Sequence, residues 1–371
     1  MIYPLLPLFL SSVLGANASF IGAIEGAAES TAALLKLASG WWSDRVKRRK
    51  PLVVWGYGIA SFVRPFVAIA QSATQVLAIR VADRVGKGIR TSPRDALLAD
   101  SVDPGMRGQS FGFHAAADNA GAVLGPLVAF ALLRWAHVSM RHVFWLAAIP
   151  GILAFIVLVV AVREVHHNEP AHESGAASEG KTSLGGRFWF YLMVVLLFTL
   201  GNSTDAFLLL RANQLGVAVA LAPILWALLN FMKAALGTWG GALSDRLGRK
   251  PLIIGGWLLY AAVYFGFSRA TAAWHAWALF ATYGLFFAMT EGTEKALVAD
   301  LVPRARRGAA YGWYNLAIGL GALPASLIFG AIWDRAGSRS AFVFGASLAV
   351  VAAIGMAMVR PSRAEPVVVA S

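Results

Sequence analysis

The sequence predicts an all-α membrane protein made of two homologous halves, and three observations carry that prediction. Only 14% of its 371 residues are charged while 58% are hydrophobic, and the mean hydropathy is +0.64. A soluble domain of this length needs more polar surface, so lipid is the expected solvent. Apolar stretches of about 17–25 residues, each long enough to cross a bilayer, recur along the chain. The third observation is a repeat. GWWSDRVKRRKP from Gly40 to Pro51 returns as GALSDRLGRKP from Gly241 to Pro251, and Asp95–Phe113 returns as Lys295–Trp313. The offset of roughly 200 positions is far longer than the period of a solenoid.

Eleven full spans and one shortened span are expected. The first, 2–15, has about 14 residues and rises only about 21 Å against a hydrocarbon core of about 30 Å. It lacks the basic flank of a signal peptide. Either the true start lies upstream of Met1, the preferred reading, or the helix is a remnant. The second span, 19–43, places Glu25, Glu29 and Lys36 within about 40° of one another at helical spacing. The third, 51–71, holds the lone cation Arg64. In the fourth, 75–98, Arg80, Asp83, Arg84, Lys87, Arg90 and Arg94 fall within an arc of about 120°. The fifth, 109–133, sets His114 one turn from Asp118 and then runs into the small residues Gly121–Pro126. The sixth, 142–162, completes the first half.

Residues 164–186 form the one long polar stretch, rich in Gly, Ser, Ala and His. It reads as a flexible linker. His166, His167 and His172 could hold a metal, but no Cys or Asp cluster completes such a site. The second half is expected as spans 187–210, 217–243, 251–268, 275–298, 309–333 and 340–359. It places Asp205 after the polar run Asn202-Ser203-Thr204, Lys233 in the eighth span and Glu291 in the tenth. The chain therefore divides into an N-terminal bundle (1–163), a cytoplasmic linker (164–186) and a C-terminal bundle (187–371).

The net charge of +13 could point to nucleic acid, but most basic residues outside the spans lie in short loops. Alternate loops, starting with Asp44–Lys50, hold about 17 Lys or Arg against about 6 in the opposite set, so the basic loops and both termini are expected to be cytoplasmic. A multi-pass protein of the plasma (inner) membrane follows, monomeric and without a nucleic-acid partner. The absence of cysteine excludes disulfides and thiol catalysis. No phosphate loop of the form G-x-x-x-x-G-K-[ST] occurs, since Gly86-Lys87-Gly88 is too short and lies in a span. Neither G-x-S-x-G nor H-E-x-x-H is present. No enzyme, cofactor or metal is expected.

The charged row of the fourth span is the sharpest physical signal. Each unpaired charge at mid-bilayer costs on the order of 2.5–3.5 kcal/mol on insertion scales, so the row must face a wet cavity or counter-charges rather than lipid. Glu25, Glu29, Lys36, Asp118 with His114, Asp205 and Glu291 are the candidate partners. Such residues either pair statically or bind substrate and relay protons. Two apolar halves enclosing charged groups are the pattern of secondary transporters, whose site between the halves opens to each side in turn. A membrane sensor or scaffold without transport is the minor alternative. The repeat also aligns Arg94-Asp95 with Glu294-Lys295, inverting the charge order. Pairs Arg94–Glu294 and Asp95–Lys295 are therefore expected to close the inner side.

The duplicated loops, with Gly40, Asp44, Arg45, Arg48 and Arg49 in the first and Gly241, Asp245, Arg246, Arg249 and Lys250 in the second, resemble the signature of the major facilitator superfamily. Physically, the glycine permits close helix approach. The Asp can pair with Arg or cap a helix, and the trailing cations anchor the loop to headgroups. Tyr3–Pro7 is similar to the P-x-x-P stretch of that family's first helix. Arg84-Val85-Gly86-Lys87-Gly88 resembles its buried-arginine motif, with Lys87 where Gln is usual. Gly121-Ala-Val-Leu-Gly125-Pro126 resembles the glycine-proline motif of its drug/proton antiporters, with Ala129 in place of the last glycine. That helix is expected to pack tightly at Gly121 and Gly125 and to bend at Pro126. The resemblance implies the major facilitator fold, with two six-helix bundles related by a pseudo-twofold axis. It further implies efflux of a small solute in exchange for protons. A symporter importing a small organic anion is the alternative.

Overall fold

The computed structural model describes residues 6, 9–15, 18–46, 48–136, 138–162, 184–218 and 221–359. Part of the expected first span (residues 2–5, 7 and 8) is outside that set, including both prolines of its motif, as are the linker histidines and the C-terminal tail. Within the expected first span, Phe9–Val13 forms one π-helical turn.

Helices account for nearly every other described residue. The first half contains α1 (Ala18–Ser43), α2 (Lys50–Val63) continued by a 3₁₀ turn at Arg64–Ile69, α3 (Ala73–Ser101), α4 (Arg107–Arg134), α5 (Met140–Leu146) and α6 (Ala148–Ala161). The second contains α7 (Gly186–Gly201), α8 (Ala206–Gln214), α9 (Ala222–Leu247), α10 (Arg249–Arg269), α11 (Ala273–Leu301) and α12 (Arg307–Met358). Local chemistry sets several ends. The Ser72 side chain caps α3 by accepting from Gln75 N–H, and Pro51 sits in the first turn of α2, where a missing N–H costs nothing. At Gly337 the backbone turns to φ 83° and splits α12 into the two spans expected there.

One expectation fails at the seventh span. Instead of one helix over 187–210, α7 ends at Gly201 and α8 restarts at Ala206, with Asn202–Asp205 between them. The backbone groups freed at this break find partners: Tyr260 Oη donates to Gly201 O at 3.0 Å and Ser326 Oγ accepts from Thr204 N–H at 3.3 Å. Non-helical backbone at membrane depth is tolerated only where protein or water satisfies it in this way.

Among the described residues, six helical stretches are long and apolar enough to cross a membrane, by length and composition alone. The others of comparable length, α1, α3, α9 and α11, are the helices that carry Glu29, the Arg80–Arg94 row, Lys233 and Glu291. Of these, α3 and α11 bury the most residues, while Met140–Ala161 turns its apolar surface outward. The two halves meet in equivalent pairs: α1 packs on α12, and α4 packs on α9 and α11. Their cores differ. The second half has a large aromatic core around Trp257, Tyr260, Tyr264 and Tyr283, and the first a smaller described cluster of mixed aliphatic and aromatic side chains around Phe9, Val76 and Phe144.

Candidate functional site

The duplicated loops build one device twice. In the first copy, Asp44 at the end of α1 accepts from the N–H groups of Gly308 (2.8 Å) and Ala309 (2.7 Å), the first turn of α12 in the other half. In the second, Asp245 accepts from Gly108 (3.0 Å) and Gln109 (2.8 Å), the first turn of α4. Each carboxylate therefore satisfies orphan donors and meets the positive end of a helix dipole across the boundary between halves. Pairing with arginine, the other sequence-level option for this Asp, occurs as well. Arg49 holds Asp44 at 3.1 Å and also bonds Asp100, while Arg249 bonds Asp245 and reaches Asp300 at 3.2 Å. Burial pushes the Asp44 carboxyl above its ordinary range, opposed by the Ala309 N–H, the Arg49 charge and the Gly308 N–H.

The cross-links continue with the same symmetry. Arg107 pairs with Asp300 at 2.7 Å, and Arg307 pairs with Asp100. Arg49 donates to Arg304 O at 3.3 Å, and Arg249 donates to Pro104 O at 2.8 Å. Glycine makes this approach possible. A Cβ on Gly40 would stand 3.2 Å from Gly312 Cα, and one on Gly241 would strike the Gly108 carbonyl. The basic face is thus clamped shut by two equivalent latches. Arg45, Arg48 and Arg246 stay out of them and point to the exterior, Arg45 with its guanidinium 3.2 Å over the Trp41 ring.

Deeper in the first half lies the charged row. Arg80, Asp83 and Arg84 are at most 8% exposed, so the row faces protein and not lipid. Asp83 is held by Arg64 (2.7 Å) and Arg80 (3.7 Å), Arg84 by Glu29 (2.9 Å), and Arg90 lies 3.8 Å over the Tyr57 ring. Lys36 and Lys87 are half-buried within electrostatic reach of Glu29 and make no ion pair among the described residues. Glu29 itself is half-exposed, and the side chain of Glu25 is outside the described set. His114 and Asp118 pair at 3.6 Å on α4, with Asp118 largely exposed.

Two expectations need correction. Asp95 does bond Lys295 of the other half at 3.3 Å, but Arg94 does not reach Glu294. Arg94 turns onto its neighbour Asp95 at 2.9 Å, a nearer counter-charge. Glu294 instead accepts from Trp257 Nε1 (2.9 Å) and Tyr314 Oη (2.7 Å) inside its own half. The glycine-proline run also packs differently than expected. Gly121 is exposed, and a methyl group added there would meet no described atom within 4 Å. The reason is that α4 and α9 touch most closely at Gly108 and Gly112, near the basic face.

In the second half, Asp205 stands at the α7–α8 break and accepts from Tyr283 Oη at 2.8 Å. Lys233 Nζ lies 3.3 Å over Phe287, and Glu291 is half-buried about two and a half turns before the latch residue Asp300 on α11. Sequence reading missed Trp257, Tyr283 and Tyr314, since neutral donors leave no charge pattern. Among the described residues, no cluster of His, Cys, Asp and Glu fits a metal.

Buried charge between two pseudo-symmetric helix bundles, with polar latches at one face, defines a multi-pass membrane carrier. A family model of the Major Facilitator Superfamily matches residues 1–323 and 206–370, and the chain belongs to that superfamily of secondary transporters. It is 31% identical over 360 residues to an uncharacterised MFS-type transporter of Methanocaldococcus jannaschii, covering 95% of this chain and 89% of that protein. A multidrug resistance protein, MdtH of Edwardsiella ictaluri, is 34% identical over 116 residues, 31% of this chain and 29% of that protein. The fold matches the E. coli fucose:proton symporter FucP with a TM-score of 0.73 at 14% identity, over 93% of this chain and 92% of that one.

Proposed function

We propose that this carrier expels a small solute in exchange for protons, and that it is held here with its cytoplasmic side closed. The paired latches carry this reading. Among the described residues they join opposite halves by ion pairs at the basic face, as rocking of two bundles about a central site requires. The excess of loop cations makes that face cytoplasmic, with both termini inside and the protein in the plasma membrane as a monomer. The bundles are 1–163 and 187–371, joined by a cytoplasmic linker at 164–186. The solute binds near mid-membrane between the first half's charged lining (Glu25, Glu29, Lys36, Arg80, Asp83, Arg84, Lys87, His114, Asp118) and the second half's Asp205, Glu291 and tyrosines.

The efflux direction draws on the stretch shared with MdtH and on the Gly121–Pro126 motif. The surplus of cations along α3 favours an anionic or zwitterionic solute, and import of an organic anion by symport is the second reading that surplus supports. The test is a solute screen in proteoliposomes that carry an imposed pH gradient. Under the exchange reading, a transported solute collapses the gradient when it moves against the proton flux. A solute that moves only along with protons overturns exchange in favour of symport, and solute flux indifferent to the gradient overturns proton coupling.

A further inference from the structure

Among the described residues, Glu294 is the one fully buried acid that lacks a cation; Asp205, also without an ion pair, is half-buried and has Lys233 within electrostatic reach. Counting backbone and side chain together, Asp83, Asp95 and Glu294 are the described acidic residues that are buried. Asp83 has Arg64 and Arg80, and Asp95 has Arg94 and Lys295. The half-buried acids of the latches are all paired with arginine. Glu294 makes no ion pair among the described residues and meets neutral groups only: Oε1 accepts from Trp257 Nε1 at 2.9 Å and Oε2 from Tyr314 Oη at 2.7 Å. The wider setting adds no counter-charge. From α7 it is faced by Tyr191, whose hydroxyl donates to the Glu294 backbone carbonyl at 3.2 Å, and on its own helix by Glu291. On the other helices packed around α11, the titratable groups are engaged elsewhere: Asp95 with Arg94 and Lys295, His114 with Asp118, Lys233 over Phe287.

We propose that Glu294 is the proton-binding carboxylate of this carrier; the assignment rests on the proton-coupled reading above. An ionised carboxylate buried without a cation is costly, and the cost is removed when it takes a proton. The two donors suit both states. Trp Nε1 can only donate and stays on Oε1, whereas a tyrosine hydroxyl can donate or accept. When a proton from water bonds to Oε2, the new O–H donates to Tyr314 Oη, whose own hydrogen turns away. One O–H bond forms at Oε2 as one breaks in the hydronium ion that delivers the proton, leaving water, and Oε2 and Tyr314 Oη stay hydrogen-bonded to each other in both states. The position is also apt: the next residue, Lys295, forms the cross-half bond to Asp95.

The proton itself is the probe. Infrared difference spectra of the full chain in lipid vesicles, recorded as pH is stepped, should show a carboxylic-acid C=O band that is lost in Glu294→Gln and kept in Glu291→Gln. If Glu294→Gln misfolds, Tyr314→Phe and Trp257→Phe each should move the band's midpoint. A band that survives Glu294→Gln, or midpoints unmoved in both aromatic variants, overturns the assignment. The exchange reading is separable. Solute-driven proton flux that persists in Glu294→Gln removes Glu294 and leaves exchange standing. A titrating Glu294 band in vesicles without any solute-driven proton flux removes exchange and leaves the site.

Discussion

At the scale of single residues, the latch aspartates combine two roles that sequence reading leaves open. A helix cap is worth about 1 kcal/mol, and a charge-assisted hydrogen bond about 1.5–3 kcal/mol. Asp245→Ala therefore should move the closed-to-open equilibrium by about tenfold or more toward opening of the basic face. The natural absence of cysteine makes the measurement simple: the labelling rate of a lone thiol at Ala99→Cys, buried beside the latch, should rise by that factor. The corrected charge pairs give a second test. Thermal unfolding of a double-mutant cycle should return a coupling of about 0.5–3 kcal/mol for Asp95 with Lys295, and close to none for Arg94 with Glu294. The sequence shows all four charges, but inverted order in a repeat cannot reveal that Arg94 has a nearer partner beside it. Nor can it reveal that Trp257 and Tyr314 meet Glu294, because neutral donors leave no periodic trace.

At the scale of elements, helix limits are readable because hydropathy and turn residues set them locally, whereas helix partners are not. The Gly40 and Gly241 positions are visible as small residues near helix ends. What makes them matter is the glycine, distant in the chain, that each one touches. The Asn202–Asp205 break illustrates the opposite failure. Its polar run stands out in the sequence, yet averaging over a span hides that four residues can leave the helix when Tyr260 and Ser326 take over their backbone groups. The two kinds of glycine predict contrasting outcomes. Gly241→Ala drives a methyl into the Gly108 carbonyl and should hold the basic face open, read as fast thiol labelling at Ala99→Cys. Gly121→Ala meets no described atom within 4 Å and should leave labelling unchanged while stabilising α4 by up to about 1 kcal/mol in thermal unfolding.

At the scale of the whole molecule, the duplicated latches matter because they act on one motion. Asp44 holds the start of α12, and Asp245 holds the start of α4; both contacts must part if the halves rotate as rigid bodies. Contacts that are separate in space but report on a single two-state equilibrium contribute additively to its free energy. Asp44→Ala and Asp245→Ala should each raise the open population in the same direction and by a similar factor, and the double variant should show the product of the two factors. Distances between spin labels placed on the two halves at the basic face give those populations directly. If the latches were independent local clasps, each single variant would loosen its own loop, and the label distances would remain those of the closed state. Additivity would tie the visible repeat in the sequence to the motion: the same loop appears twice because each half must grip the other.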